Sequence, residues 1–177
     1  MSLQFDHYRI QHLDTRNPDA FFYLMSSNRP RLEDFFAGTV AKTNTLADTK
    51  AYCKNIDLRV AAKQYVPFCL IDTTTNQWVG FIDIKNIDWD TSIAEMGYFI
   101  DAHYEGRGLS SKAVGLITDY LKNNYPLKQL VCRVASHNIA SKQVALRNGF
   151  QFQKTVPKDY TTTKGEVVDL DYYVKQL

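Results

Sequence analysis

No stretch of this 177-residue chain is apolar for long enough to cross a bilayer. No basic, apolar and small-residue segment opens it in the manner of a secretory signal. A soluble, cytoplasmic protein with no membrane partner is therefore expected. Formal charge is only +2, so no strongly basic surface is implied and nucleic acid is not a favoured partner. Cysteine is scarce as well: Cys53, Cys69 and Cys132 are an odd number without metal-ligand spacing. Cys69 and Cys132 sit inside apolar, strand-like runs, which reads as buried small hydrophobes rather than a nucleophile, a disulfide or a metal site. Internal repeats, low-complexity tracts and linkers are absent too. What is present, 45% hydrophobic and 13% aromatic residues, suffices for one core and a single domain over residues 1–177.

The pattern of elements is mixed. Phe5 to Leu13 alternates as an opening strand. Asn17-Pro18 is an N-cap and first-turn pair for a helix running to Ser26, and Arg31 to Phe36 reads as a short second helix. Thr45-Leu-Ala-Asp48 resembles a capping box, with Asp in the place of Glu or Gln, before an amphipathic run to about Ala62. Tyr65 to Asp72, Trp78 to Ile87 and Ser92 to Ile100, separated by polar turns, predict a three-stranded meander. The second half alternates: helix 109–124, strand Gln129 to Val134, helix Ile139 to Asn148, strand Phe150 to Val156 and strand Val167 to Val174. The Thr161 to Gly165 turn makes the last two a hairpin. A mixed α/β sheet with helices on both faces fits this order.

Tyr104-Glu-Gly-Arg-Gly-Leu-Ser-Ser111 is the most informative stretch. It joins an apolar strand to a helix through a glycine-rich turn, which aims backbone N–H groups and a helix N-terminus at one spot. That is an anion site, most often for phosphate; the bland alternative is a glycine loop with an ordinary helix cap. Gly106-Arg-Gly108 lacks the Gly-Lys-Ser/Thr ending of a nucleotide P-loop. A second signal follows about 30 residues later, Asn138-Ile-Ala-Ser-Lys-Gln-Val-Ala-Leu-Arg-Asn-Gly-Phe150.

Together these residues resemble the GCN5-related N-acetyltransferase (GNAT) superfamily. The acyl-CoA motif Arg/Gln-x-x-Gly-x-Gly/Ala falls on His103-Tyr-Glu-Gly106-Arg107-Gly108, with His103 departing from the usual first residue. Asn138, Ser141, Gly149 and Phe150 match the second signature. Ala94-Glu-Met-Gly-Tyr98 and Asn28-Arg-Pro-Arg-Leu32 are similar to the Rim-type branch, which acetylates ribosomal-protein N-termini and includes relatives acting on small amines. The resemblance implies a seven-stranded, mostly antiparallel mixed sheet, splayed between its fourth and fifth strands, with acetyl-CoA in the splay. It implies transfer of an acetyl group to a primary amine by direct attack. A protein N-terminus leads as acceptor, a small amine is the close second, and a non-catalytic acyl-CoA-binding module is a third possibility. A monomer or a homodimer is compatible with it.

The resemblance also distributes roles, each beside a plainer alternative. Gly106, Arg107, Gly108, Leu109, Ser110 and Ser111 would cradle the pyrophosphate. His103 would contact the pantetheine, although a loop histidine is the simpler account. Met96, Gly97, Tyr98 and Ile100 would line the pantetheine slot; otherwise Gly97 gives room to an aromatic neighbour. Glu95 is either the base that takes the amine's proton or a residue turned to solvent or a salt bridge. Asn138 would bond the pantetheine amide, or simply cap a helix, and Ser141 would reach the CoA sulfur. Many relatives protonate the leaving thiolate with a tyrosine four residues after Ser141; here that position is Ala145, which leaves Ser141 or a water it holds. Lys142 would meet a CoA phosphate or lie on a solvated helix face. Two segments would border the acceptor mouth, Arg29 to Phe36 and Lys158 to Gly165; Glu33, Asp34 and Asp159 are too few acids to define a polycation site.

Overall fold

A computed structural model describes all 177 residues. One eight-stranded sheet runs in the order β1-β2-β3-β4-β5-β6-β8-β7. The first two strands, β1 (Ser2–Phe5) and β2 (Tyr8–His12), form a hairpin. One strand was expected from Phe5 to Leu13, in a sheet of seven. The chain reverses instead at Asp6, whose positive φ of 49° suits a short polar side chain. The meander follows as β3 (Val66–Asp72), β4 (Gln77–Asp88) and β5 (Ile93–Ile100), all antiparallel. Beyond it lie β6 (Gln129–Ala135), β7 (Gln151–Thr161) and β8 (Val167–Gln176). The last strand inserts between β6 and β7, antiparallel to both.

Five helices cover the two faces. The first, α1 (Pro18–Leu32), buries Phe21, Leu24, Met25, Asn28 and Leu32, a single stripe at helical spacing. It runs six residues past the expected Ser26 and straight through Pro30. Tertiary anchoring overrides the proline: Asn28, 1% exposed, donates to Leu24 O and Asp101 and accepts from Ala102 N. A one-turn α2 (Ala37–Val40) replaces the helix expected over Arg31 to Phe36. The capping box forms as read, with Thr45 and Asp48 exchanging bonds at the start of α3 (Leu46–Ala61). On the opposite face are α4 (Leu109–Asn124), stopped by Tyr125-Pro126, and α5 (Ile139–Arg147).

The sheet separates two cores. Phe21, Leu24, Ile56 and Phe81 pack beneath α1 and α3. Ile84, Met96, Ile117, Leu130 and Phe150 pack beneath α4 and α5. Each such side chain contributes about 1.5–3 kcal/mol when fully buried. No helix is long and apolar enough to cross a membrane.

The feature that positions the site is the junction of β5 and β6. They run parallel, but only Ile93 to Glu95 pair with Gln129 to Val131. From Met96 onward the backbone edge of β5 that faces β6 has no strand partner. These are the fourth and fifth strands of the sequence reading, and they diverge as expected.

Candidate active site

The divergence opens a cavity of about 430 Å³. One end reaches the start of α4. There Gly106 and Gly108 hold φ of 74° and 73°, and a short 3₁₀ turn (Ala102–Tyr104) capped by Asp101 leads into them. Open space surrounds both glycines, so backbone conformation, and not room, demands glycine here. No side chain caps α4, which leaves the N–H groups of its first turn for a ligand. The Ser111 hydroxyl beside them is buried without a hydrogen-bond partner. Ser110 lines the cavity.

The predicted cradle residues are therefore not equivalent. Leu109 is buried in the core, so only its N–H is available. Arg107 is exposed, bonds the His103 carbonyl at 3.1 Å and lies over the Tyr104 ring. His103 is exposed, stands outside the cavity and sets its ring against Asp101 at 3.0 Å, which fits the loop reading.

Across the cavity, Asn138 caps α5 by accepting from Ser141 N at 3.1 Å. Its side-chain N–H₂ is left over and the residue lines the cavity. Ser141 lines it too, and its carbonyl accepts from the Tyr98 hydroxyl at 2.9 Å, a bond that spans the cleft from β5 to α5. Burial pushes the Tyr98 hydroxyl's pKa up, only partly offset by that bond. Ala145 is fully buried, so α5 presents no tyrosine there. Lys142 does neither of the things expected of it: its ammonium pairs with Asp171 of β8 at 2.6 Å.

The other end is lined with charge. Glu95 accepts from Arg133 Nε at 2.9 Å and Asn86 Nδ2 at 2.8 Å, with Lys85 Nζ 3.6 Å away. Glu95 thus stands in an ion-pair network with Arg133 and Lys85. Arg133 reaches on to Asp159 at 3.4 Å, and Asp159 accepts from Tyr172 at 2.7 Å. Asp83, 2% exposed, accepts from the Tyr65 hydroxyl at 2.9 Å and lies 3.7 Å from Lys85. Burial pushes Asp83 up against the pull of Lys85 and Tyr65, while Asp83 holds the Lys85 ammonium firmly protonated.

Gly97 stands opposite Asp83 in the β4–β5 register. A Cβ there would meet Asp83 Oδ1 at 2.5 Å, and Lys85 Nζ and Phe36 at 3.3 Å. The neighbour that needs the room is chiefly a carboxylate, not the aromatic ring expected.

The two segments expected to border an acceptor mouth, Arg29 to Phe36 and Lys158 to Gly165, meet at the cavity. Arg31, Asp34, Phe35 and Phe36 line the cavity, as does Tyr160 of β7. Arg29 turns away to Val40 O and Asn44. Over the mouth, the β7–β8 tip touches the α1–α2 connection: Thr163 N donates to Glu33 O at 3.2 Å, Lys164 pairs with Asp34 at 3.5 Å, and Tyr160 accepts from Ala37 N at 2.8 Å. Toward α4, Arg31 pairs with Glu105 of the glycine loop.

Glu95, Met96, Gly97, Tyr98, Ile100, Ser110, Asn138 and Ser141 thus meet around one cavity. His103, Arg107 and Leu109 do not present side chains to it. Asp83, Lys85, Arg133 and Tyr65 were missed. The signal for Asp83 was in the chain: a lone carboxylate inside Trp78-Val-Gly-Phe-Ile-Asp-Ile84. No group of metal-ligating side chains occurs.

Residues 9–151 match the model of the acetyltransferase (GNAT) domain. Two curated relatives are similar over part of the chain. The uncharacterized N-acetyltransferase p20 of Bacillus licheniformis is 30% identical over 104 residues, 58% of this chain and 57% of its own length. The ribosomal-protein-serine acetyltransferase of Escherichia coli K12 is 32% identical over 75 residues, 42% of each chain. Among solved structures, RimL, a ribosomal L7/L12 α-N-protein acetyltransferase in complex with coenzyme A, superposes with a TM-score of 0.90 at 16% identity, covering 100% of this chain and 98% of that one.

Proposed function

The chain belongs to the GNAT acetyltransferase family, and from that premise we propose that it moves an acetyl group from acetyl-CoA directly to a primary amine, with a protein N-terminus as the leading acceptor. One observation carries the reading. The splay after Glu95 joins a helix N-terminus at one end to a charged recess at the other, through a single cavity, and that recess suits an amine.

The residues present suit the cosubstrate. The buried, unpartnered Ser111 hydroxyl and the free first-turn N–H groups of α4 are donors waiting for an anion. The unpaired edge of β5 from Met96 to Ile100 offers backbone partners to an amide-bearing arm, and Asn138 Nδ2 offers another. Bound acetyl-CoA supplies the activated thioester and the leaving thiol. Ser141, whose hydroxyl has no competing bond, hands a proton to the departing sulfur in place of the tyrosine absent at Ala145. Glu95 holds Arg133 and Lys85 in position.

Charge at the amine site favours a monoamine. Each acidic lining residue already has a cation: Asp34 has Lys164, Asp83 has Lys85, Glu95 has Lys85 and Arg133, and Glu105 has Arg31. No free row of carboxylates remains for a polycation. A second reading, a small monoamine, draws on the roof that the β7–β8 tip makes over the mouth.

The test is mass spectrometry of a peptide panel with free N-termini and of a panel of small amines, each with acetyl-CoA. Acetylated peptide N-termini support the leading reading and acetylated small amines the second. Binding of acetyl-CoA with no transfer to any amine rejects both and leaves a binding module.

A further inference from the structure

We propose that the acceptor carries a carboxylate near its amine, and that Lys42 and Arg59 bind this carboxylate and so set acceptor choice. The proposal rests on the acetyl-transfer reading and names the class of amine that this reading leaves open. The carboxylate belongs either to an acidic residue close behind a peptide N-terminus or to a small amine's own carboxyl group.

The charges lining the cavity do not cancel. Arg31 is engaged by Glu105, Lys85 by Asp83 and Glu95, and Arg133 by Glu95 and Asp159. Lys42 and Arg59 line the same cavity and pair with no carboxylate. Nearby acids of α3 are engaged elsewhere. Asp48 closes the capping box with Thr45, and Asp57 accepts from the Thr15 hydroxyl at 2.7 Å. Asp83 feels Arg59 less than it feels Lys85 and Tyr65, and makes no contact with it. The unmatched charge in the cleft is positive, and a cleft with unmatched charge of one sign concentrates ligands of the other.

Neither cation is loosely held. The Lys42 ammonium lies 5.2 Å from the centroid of the Tyr52 ring, and the Arg59 guanidinium 4.1 Å from that of Tyr65. Both rings are buried. The backbone under Lys42 is fixed as well, although α2 is a single turn and too short to hold itself. Arg29 donates to Val40 O at 3.1 Å, to Asn44 Oδ1 at 2.9 Å and to Thr43 O, and the buried Thr43 hydroxyl donates to Thr39 O at 3.0 Å. Cations held in place this way lose little freedom when an anion arrives. In a purely structural role, each would only cover its ring.

Steady-state kinetics test this with peptides that differ only in a second residue of Asp, Ala or Lys, and with an amino acid beside its carboxamide. Wild-type kcat/KM should favour the acidic over the neutral peptide, or the amino acid over its amide, by about tenfold or more, as expected of a charge-assisted contact. The first result assigns the carboxylate to a polypeptide acceptor and the second to a small one. In a Lys42→Met/Arg59→Met double variant, which keeps an unbranched stem over each ring, the favoured ratio should fall to about one. Lys42→Glu, at an exposed position, should shift the preference toward the basic peptide and decides the question if the double variant does not fold. A merely structural role lowers every acceptor alike and leaves the ratios as they were. Ratios near one in an active wild type, or a preference that survives the substitutions, overturn the assignment alone. A wild type that acetylates no amine overturns the functional reading, and this one with it.

Discussion

Two sets of glycines border the cleft, and they are glycine for opposite reasons. Gly106 and Gly108 have open space around them but hold φ above 70°. Gly97 has ordinary strand geometry, but an oxygen occupies the space its side chain would take. The first pair shapes backbone so that N–H groups converge. The second makes room for a charged side chain. Under the proposed function, the cofactor wall is thus assembled mainly from main-chain donors and the acceptor wall mainly from side-chain charges, and substitutions in the two walls should fail in different ways.

The sharpest way to break that contrast is to add one methyl group to each wall. Gly97→Ala drives a Cβ into Asp83 Oδ1 and against Lys85 Nζ, pushing the charged network apart, and should cost about tenfold in kcat, with acetyl-CoA affinity changed by about threefold or less. Gly108→Ala meets no atom, but it forces an L-residue into the left-handed region at about 1–2 kcal/mol. Its expected defect is about tenfold weaker acetyl-CoA binding, with kcat at saturation nearly intact. Isothermal titration with acetyl-CoA and steady-state kinetics separate the two. If Gly97→Ala loses affinity while kcat holds, the division between the walls is wrong.

That division also explains what could be read from the chain. The glycine turn, the capping box at Thr45 and the Asn138 cap are local devices, written within a few consecutive residues, and each forms where its pattern lies. The network of Asp83, Lys85, Glu95 and Arg133 is assembled from three strands whose register no local pattern states. Glu95 was visible as a lone acid in an apolar strand, yet its partner Arg133 lies 38 residues away. The same holds for α1, which outruns Pro30 because Asn28 finds Asp101 across 73 residues. The opening hairpin was missed for the converse reason, since only two residues, Asp6 and His7, make the whole turn.

A second prediction concerns how the cofactor wall is held. Asp171 ties three elements together, pairing with Lys142 of α5 and accepting from Thr155 of β7 and from Ser136 ahead of α5. Burial alone would raise its pKa, but these donors outweigh it and hold the carboxyl below its ordinary value. A depressed folded pKa means stability that is present above the unfolded pKa, near about 3.9, and lost as pH falls through the folded one. Asp171→Asn should therefore cost about 2–3 kcal/mol at pH 7. The gap in Tm from wild type should close as pH drops below about 4. A gap that stays constant down to strongly acidic pH would mean that the charge of Asp171 contributes nothing.

The smallest effect on stability carries the most information about the acceptor. Lys164 and Asp34 are half and one-third exposed, and such a pair contributes about 0–1 kcal/mol. Lys164→Ala should leave Tm nearly unchanged, yet it removes one of the contacts that hold the β7–β8 tip over the mouth. If the acceptor is a polypeptide N-terminus, its chain must pass that tip, and loosening the roof should lower KM for peptides while leaving KM for a small amine alone. Equal shifts for both classes would show that the roof does not sort acceptors by length. A rise in KM for peptides alone would show that Lys164 itself touches the bound chain, placing the recognition surface on the tip and not beneath it.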